Sequence, residues 1–319
     1  MTTRGSRLDW FLFLLLGFFW GSSYLFIKIG VDHGLPPFTL ITLRLVIGFA
    51  LLASVVAYFR EPLPREPRMY GHLFVMGVVN IAIPFSLITF AENVPNITSS
   101  LAAVINSAVP LFVIVIAAIF LKGETITLNR IAGLAVGFVG VAILVGFNVN
   151  DLGSANSLGE LALVGATISY GFGAVYARAH IHGLRPMIPA LFQVGFGLLV
   201  VAILAFTVER PLEVRFVPES IFAVVWLGLL GSGMAYLLFF RILQRWGATR
   251  TSLVAYLLPV YGIALGAIVL SEPIALSTLL GAVLVIGGIA LVNSRYGTRP
   301  LFARRNDARP GVSTDASQL

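Results

Sequence analysis

The sequence lacks cysteine and is poor in charge. With no cysteine among 319 residues, disulfides, thiol nucleophiles and thiolate metal ligands are excluded. The four histidines, which form no metal-binding spacing, are His33, His72, His180 and His182. Charged residues make up 11%, against about a quarter in a typical soluble domain. We therefore expect neither a soluble enzyme nor, despite the net charge of +7, a nucleic-acid binder, and we expect no cofactor or metal.

Long apolar runs take the place of these missing features. Hydrophobic residues make up 58% of the chain, and its mean hydropathy is +0.95. A helix needs roughly 20 residues to cross about 30 Å of hydrocarbon. The runs predict ten spans, at 8–30, 37–59, 70–91, 96–121, 127–147, 158–179, 186–208, 218–243, 248–270 and 274–294. The expected fold is an all-α integral membrane protein with ten transmembrane helices.

The basic residues collect at one set of span ends. Of the 21 lysines and arginines, 17 lie at the ends on one side, Arg210 and Arg215 fall in a loop on the opposite side, and Lys28 and Arg44 fall within spans. Because positive charge marks cytoplasmic loops, this distribution predicts that both termini are cytoplasmic. The basic isoelectric point of the chain is then a consequence of its topology.

The second half of the sequence repeats the first. The aligned pairs are Trp20 with Tyr170, Pro110 with Pro259, Glu124 with Glu272, Gly133 with Gly281 and Gly140 with Gly288. Their offsets stay between 148 and 150 residues, as expected for a duplicated unit. We therefore divide the chain into a first repeat at 1–147, an external linker at 148–157, a second repeat at 158–294 and a polar cytoplasmic tail at 295–319.

Each repeat has five spans, so the second copy enters the membrane from the opposite face. Inverted repeats of this kind usually hold a substrate near the bilayer midplane and expose it alternately to the two sides. Pro110 and Pro259 lie at matched positions inside spans four and nine, where a proline can kink a helix. They are either gating hinges or two inherited kinks without a role in transport.

These motifs resemble the ten-helix EamA-type members of the drug/metabolite transporter superfamily, from about residue 8 to 294. In the first half the resemblance rests on Trp20-Gly21-Ser22-Ser23, Lys28, Pro37, Arg44, Pro110, Glu124 and Gly133. In the second half it rests on Ser232-Gly233-Met234-Ala235-Tyr236, Arg241, Gly247-Ala248-Thr249-Arg250, Pro259, Glu272 and Gly281. Each motif alone is weak, but their order and duplication are specific.

The resemblance implies a transporter of the bacterial inner membrane, most often an exporter of amino acids or other small metabolites. Some relatives export aromatic amino acids and related compounds. The nucleotide-sugar and sugar-phosphate branch of the superfamily is less similar but competes as an interpretation.

Ionisable side chains deep in a membrane usually mark function, yet no aspartate, glutamate or histidine lies well inside a predicted span. Glu92 and the other carboxylates fall near span ends, and Glu124 and Glu272 precede helices five and ten, where they favour the positive helix end. The sequence therefore favours facilitated or exchange transport driven by the gradient of the substrate. Proton coupling through Glu92 or a tyrosine is the open alternative.

Arg44 is the deepest cation in the predicted spans. It lies seven residues beyond Pro37, about 10 Å into span two. It could bind a substrate carboxylate or phosphate, or it could snorkel to headgroups or bond backbone carbonyls. Lys28 and Asp32 instead predict an i,i+4 pair at the end of span one.

Uncharged polar and aromatic residues complete the candidate substrate site. Asn80, Asn106 and Gln193, which aligns with Arg44, lie within spans and bind either substrate or a neighbouring helix. Trp20 and Tyr24 share a face of helix one. Tyr170, Tyr236 and Tyr256 also lie deeper than an interfacial aromatic belt. These rings either line a pocket for an aromatic or amphipathic solute or pack the core.

Taken together, the sequence predicts an alternating-access exporter of amino acids or similar small amphipathic metabolites, and not an enzyme. Its expected partners are a small-molecule substrate and the lipid bilayer, and the expected state is a monomer. Two alternatives stay open. One is a sugar-phosphate or organic-anion carrier that uses Arg44, and the other is a membrane assembly subunit that transports nothing.

Overall fold

The protein is a bundle of membrane-spanning helices. The computed structural model describes residues 6–121, 127–145 and 154–294, and their helical segments are numbered α1 to α10 in chain order. They are α1 (Arg7–Asp32), α2 (Pro37–Tyr58), α3 (Pro67–Glu92), α4 (Ser99–Phe120), α5 (Leu128–Val145), α6 (Ala155–His180), α7 (Met187–Val208), α8 (218–251), α9 (Leu257–Val269) and α10 (Leu276–Val292). Eight are long and apolar enough to cross a membrane, and α9 and α10 are shorter apolar helices. The fold class predicted from sequence is confirmed.

The predicted boundaries hold at most helix ends, and two differ substantially. Span eight is predicted to end at 243 and span nine to begin at 248, but α8 continues to Thr251, a 3-10 turn follows at Ser252–Tyr256, and α9 begins at Leu257. A half-exposed ion pair joins this extension to α1, because Arg245 Nη1 lies 2.9 Å from Asp9 Oδ1. The linker at 148–157 lies mostly, and the tail at 295–319 entirely, outside the described residues.

The two halves interlock as inverted five-helix repeats. Helix α1 packs on α9, and its counterpart α6 packs on α4. Helix α2 packs on α8, and its counterpart α7 packs on α3. Three pairs join equivalent helices to each other, namely α2 with α7, α4 with α9 and α5 with α10. Each half therefore builds part of its core against the other half.

Glycines let the backbones of α5 and α10 approach closely. A Cβ on Gly133 would lie 2.5 Å from the carbonyl oxygen of Gly288, and a Cβ on Gly288 would lie 2.6 Å from that of Gly133. Such contacts exclude any larger side chain. The small residues of Gly133-x-x-x-Gly137 thus serve packing within this chain.

Four helices depart from α-helical geometry at repeat-related places. Helix α3 contains a π-helical segment, Val78–Ala82, and α8 contains one at Leu227–Met234. Helix α4 breaks after Asn106 and resumes at Val109, just before Pro110, while the 3-10 turn precedes α9 and Pro259. Because π-helical turns and prolines free backbone groups from their helical partners, both repeats offer polar backbone inside the bundle.

Carboxylates cap helices across the repeat interface. The Glu209 carboxylate, just after α7, accepts hydrogen bonds from the backbone N–H groups of Phe38 and Thr39 at 2.9 and 2.8 Å. Glu272 accepts from Ser99 and Ser100 at 2.8 and 3.2 Å. Glu272 thus caps α4 and not α10, the helix that the sequence favoured. Its counterpart Glu124 lies outside the described residues.

The bundle has two distinct ends. The end with the α1–α2, α3–α4, α7–α8 and α9–α10 loops is called the Glu92 end, after the last residue of α3. The opposite end is called the Glu61 end and contains the ion pair of Glu61 with Arg185 at 3.0 Å. The charge distribution in the sequence predicts that the Glu61 end is cytoplasmic.

Candidate functional site

Arg44 of α2 lies buried in the centre of the helix bundle. Only 3% of it is exposed, so its side chain does not reach headgroups. Its Nε donates to Ser232 Oγ at 3.2 Å, and its Cζ lies 4.3 Å from the ring centroid of Phe85. Its two terminal amino groups form no hydrogen bond to any described residue. A guanidinium has five donors, so most of its capacity is free for an anion.

Three predicted tyrosines surround Arg44. Tyr24, Tyr170 and Tyr236 all lie within electrostatic range of its guanidinium, and they come from α1, α6 and α8. Trp20 joins the group through Tyr236, since their ring centroids are 6.2 Å apart. The structure therefore brings five of the predicted residues into one polar and aromatic cluster, which we call the Arg44 cluster.

Asn106 adds a sixth predicted residue to this cluster. It is the last residue before the break in α4, and its Nδ2 donates to the Tyr24 hydroxyl. Both side chains are buried. Asn106 Oδ1 is also buried and has no hydrogen-bond partner among the described residues. Asn106 thus offers an acceptor and Arg44 offers donors within one buried cluster.

Asn80 and Gln193 form a second polar contact related to the first by the repeat. Asn80 Nδ2 donates to Gln193 Oε1 at 2.9 Å, which joins the π-helical segment of α3 to α7. Ser169 Oγ donates to the carbonyl oxygen of Val79 in that segment at 2.6 Å. Gln193 therefore occupies the place of Arg44 in the other repeat and bonds a helix neighbour.

Glu92 is more deeply buried than its position near a predicted span end suggests. It is the last residue of α3, yet its side chain is fully buried, and neither carboxylate oxygen has a hydrogen-bond partner among the described residues. The predicted Lys28–Asp32 pair is confirmed at 3.1 Å, and Lys28 Nζ also donates to the backbone oxygen of Glu92 at 3.0 Å. Position near a span end therefore does not imply exposure here.

The other predicted site residues lie elsewhere. Tyr256 lies at the Glu61 end, where its hydroxyl accepts a 3.4 Å hydrogen bond from Asn293 Nδ2. Pro110 is buried in part, one residue into the second segment of α4, and Pro259 is buried near the start of α9. These positions keep Tyr256 apart from the Arg44 cluster and place each proline beside a helix break.

Two surface depressions lie outside the Arg44 cluster. An apolar groove of about 320 Å³ runs between α1, α8 and α9, lined by Phe18, Phe26, Phe222 and Trp226 among others. A more polar pocket of about 260 Å³ lies at the Glu92 end and is lined by residues that include Lys28, Asp32 and Glu272.

Inverted repeats, broken helices and a buried polar cluster together define a membrane transporter. The chain belongs to the EamA-like transporter family, whose model matches it twice, at residues 9–146 and 157–294.

Relatives at low identity span nearly the whole chain. An uncharacterized transporter of Bacillus subtilis, YoaV, is 22% identical, with 88% of this chain and 94% of that protein covered. A probable amino-acid metabolite efflux pump of Escherichia coli is 27% identical, with 89% and 94% covered. A crystal structure has a TM-score of 0.63 at 21% identity, with 91% of this chain and 97% of that chain covered, and supports the fold alone.

Proposed function

We propose that the protein is an alternating-access exporter of amino acids, aromatic ones included, or of similar small amphipathic metabolites, with the Arg44 cluster as its substrate site. The observation that carries the proposal is the buried guanidinium of Arg44, whose two terminal amino groups bond none of the described residues. A carboxylate can satisfy such a fork in a bidentate way. The surrounding tyrosines and Trp20 supply faces on which an apolar side chain stacks.

The position of Arg44 favours a ligand role over a structural one. A snorkelling arginine keeps its head in water, whereas Arg44 is buried and bonds the side chain of Ser232. A single neutral hydrogen bond and one aromatic face leave a membrane-buried cation poorly compensated. An incoming anion would pair with the remaining N–H donors of Arg44.

The repeat-related helix breaks supply the moving parts. The π-helical segments of α3 and α8, and the interruptions before Pro110 and Pro259, lie at matched positions in the two halves. Rocking of one half against the other about these places would expose the cluster to each side in turn. Pro110 and Pro259 are the proposed gating positions.

The proposed setting is the bacterial inner membrane, with both termini in the cytoplasm. The collection of basic residues toward the Glu61 end supports this orientation. Two relatives named probable amino-acid metabolite efflux pump support the export of amino acids. Transport is proposed to be facilitative and to follow the gradient of the substrate, by a monomer.

Flux through proteoliposomes tests the proposal. Purified protein is reconstituted, and efflux of a labelled amino-acid panel is measured with and without an imposed pH gradient. We expect saturable flux that ignores the pH gradient. Flux of sugar phosphates alone would favour the organic-anion carrier, which also fits the free guanidinium of Arg44, and no flux of any solute would favour an assembly subunit.

A further inference from the structure

Three buried side chains near the Arg44 cluster have unmatched hydrogen-bond acceptors. They are both carboxylate oxygens of Glu92, Oδ1 of Asn106 and Oγ1 of Thr89. Glu92 and Thr89 are fully buried, and Asn106 is 7% exposed. A buried polar atom without a partner is costly, and one unpaired carboxylate more so. Three such residues on α3 and α4 offer acceptors to a solute that carries several donors.

Helix geometry places these acceptors next to Arg44. Phe85, Thr89 and Glu92 recur at i, i+4 and i+7, so they share one face of α3, and the guanidinium of Arg44 lies on the Phe85 ring. Long helical side chains lean toward the helix N-terminus, which for Glu92 is the direction of Thr89 and Phe85. Asn106 joins through Tyr24, which interacts electrostatically with both Glu92 and Arg44.

The neighbouring charges are engaged elsewhere. Lys28 Nζ forms an ion pair with Asp32 and donates to the backbone oxygen of Glu92. It makes no ion pair with the Glu92 carboxylate. Glu272 is bonded to Ser99 and Ser100. Arg44 interacts electrostatically with Glu92 without contacting it. No described side chain therefore forms a hydrogen bond with the Glu92 carboxylate or with the terminal amino groups of Arg44.

A primary ammonium group complements these acceptors. It has three donors and no acceptor, so it pairs with a carboxylate, an amide oxygen and a hydroxyl. An α-amino acid carries an ammonium group and a carboxylate on one carbon, so a single molecule offers one group to Glu92 and the other to Arg44.

We propose that Glu92, with Asn106 Oδ1 and Thr89, binds the ammonium group of the substrate while Arg44 binds its carboxylate. The substrate class is then the zwitterionic α-amino acid, and anions without an amine are poor substrates. This inference rests on the proposed function and narrows it.

The test compares L-phenylalanine with 3-phenylpropanoate, which has the same ring and carboxylate but no ammonium group. Proteoliposomes with the wild type, Glu92→Gln, Glu92→Asp or Glu213→Gln are assayed for counterflow of each labelled solute, with protein-free liposomes as background. Glu213 is exposed and lies in the α7–α8 loop, so it is a matched control. Ligand-induced thermal stabilisation of the purified variants gives a second readout that does not depend on transport.

We expect Glu92→Gln to lower L-phenylalanine counterflow about 10- to 100-fold, the range for one lost charge-assisted contact. It should leave the smaller stabilisation by 3-phenylpropanoate unchanged. Glu92→Asp should recover part of the loss, and Glu213→Gln should behave as the wild type.

Three outcomes overturn the inference. Equal losses for both solutes would make Glu92 structural, and unchanged L-phenylalanine flux would remove it from the site. Retained counterflow together with loss of a wild-type response to a pH gradient would make Glu92 a proton carrier. A wild type that transports no amino acid overturns the proposed function itself, which separates that failure from the other three.

Discussion

The contacts Arg44–Ser232 and Gln193–Asn80 occupy equivalent positions in the two repeats but differ in chemistry. In each, a polar residue of α2 or α7 bonds a π-helical segment of α8 or α3. The neutral amide of Gln193 accepts a hydrogen bond from Asn80 Nδ2. The two terminal amino groups of Arg44 bond no described residue, so the two contacts differ in the donors that they leave available.

Matched glycines show that the surrounding packing is shared. A Cβ on Gly48 of α2 would lie 2.8 Å from Ser232 Cβ, and a Cβ on Gly197 of α7 would lie 2.5 Å from Ile81 Cγ2. Both helices thus approach their π-helical neighbours closely. The difference between the two contacts therefore resides in the polar side chains and not in the backbone.

The largest expected effect comes from neutralising Arg44. Arg44→Gln makes the first contact resemble the second, and it should lower amino-acid flux about 100-fold, because a bidentate charge-assisted pair is lost. Flux in proteoliposomes is the measurement. Gln193→Ala, the same position in the other repeat, is the control and should retain most flux. A comparable loss in both variants would show that the two contacts act alike.

Truncations next to Arg44 should have the next largest effect. Trp20→Ala and Asn106→Ala remove a ring and an amide of the Arg44 cluster, and each should cut flux about 10-fold at unchanged expression. Membrane yield and gel-filtration profile serve as controls for folding. Unchanged flux in both variants would contradict the assignment of the substrate site to the Arg44 cluster.

The Asn80–Gln193 contact should affect stability more than transport. A double-mutant cycle with Asn80→Ala and Gln193→Ala should give a coupling energy of about 0.6 kcal/mol, as for interhelical hydrogen bonds in membranes generally. Thermal unfolding in detergent measures it. A flux loss equal to that of Arg44→Gln would instead place substrate at this second contact.

Composition and repeats were enough to predict the helices and the polar positions of the site. Ten apolar runs and a constant offset gave ten helices in two inverted units, and Arg44, Tyr24 and Asn106 stood out as polar groups inside spans. These features depend only on local sequence, since a bilayer requires each apolar run to form its own helix.

Contacts between distant segments could not be predicted in the same way. Glu92 lies near a span end in sequence, yet its side chain is fully buried in a bundle where its helix packs on α1, α2, α4 and α6. Glu272 caps a helix 173 residues away from it in the chain. The π-helical segments lie against α2 and α7, and this pairing is not visible in the pattern of a single helix.

The smallest expected effect separates two tyrosines of the predicted site. Tyr256→Phe removes a hydroxyl that only accepts a 3.4 Å bond from Asn293 at the Glu61 end, so flux should change less than about twofold. Tyr24→Phe removes the hydroxyl that accepts the hydrogen bond of Asn106 in the Arg44 cluster, and it should lower flux about fivefold. The paired assay therefore measures how far the site extends. If both variants lose flux equally, substrate also contacts the Glu61 end, and the path through the bundle is longer than the Arg44 cluster alone.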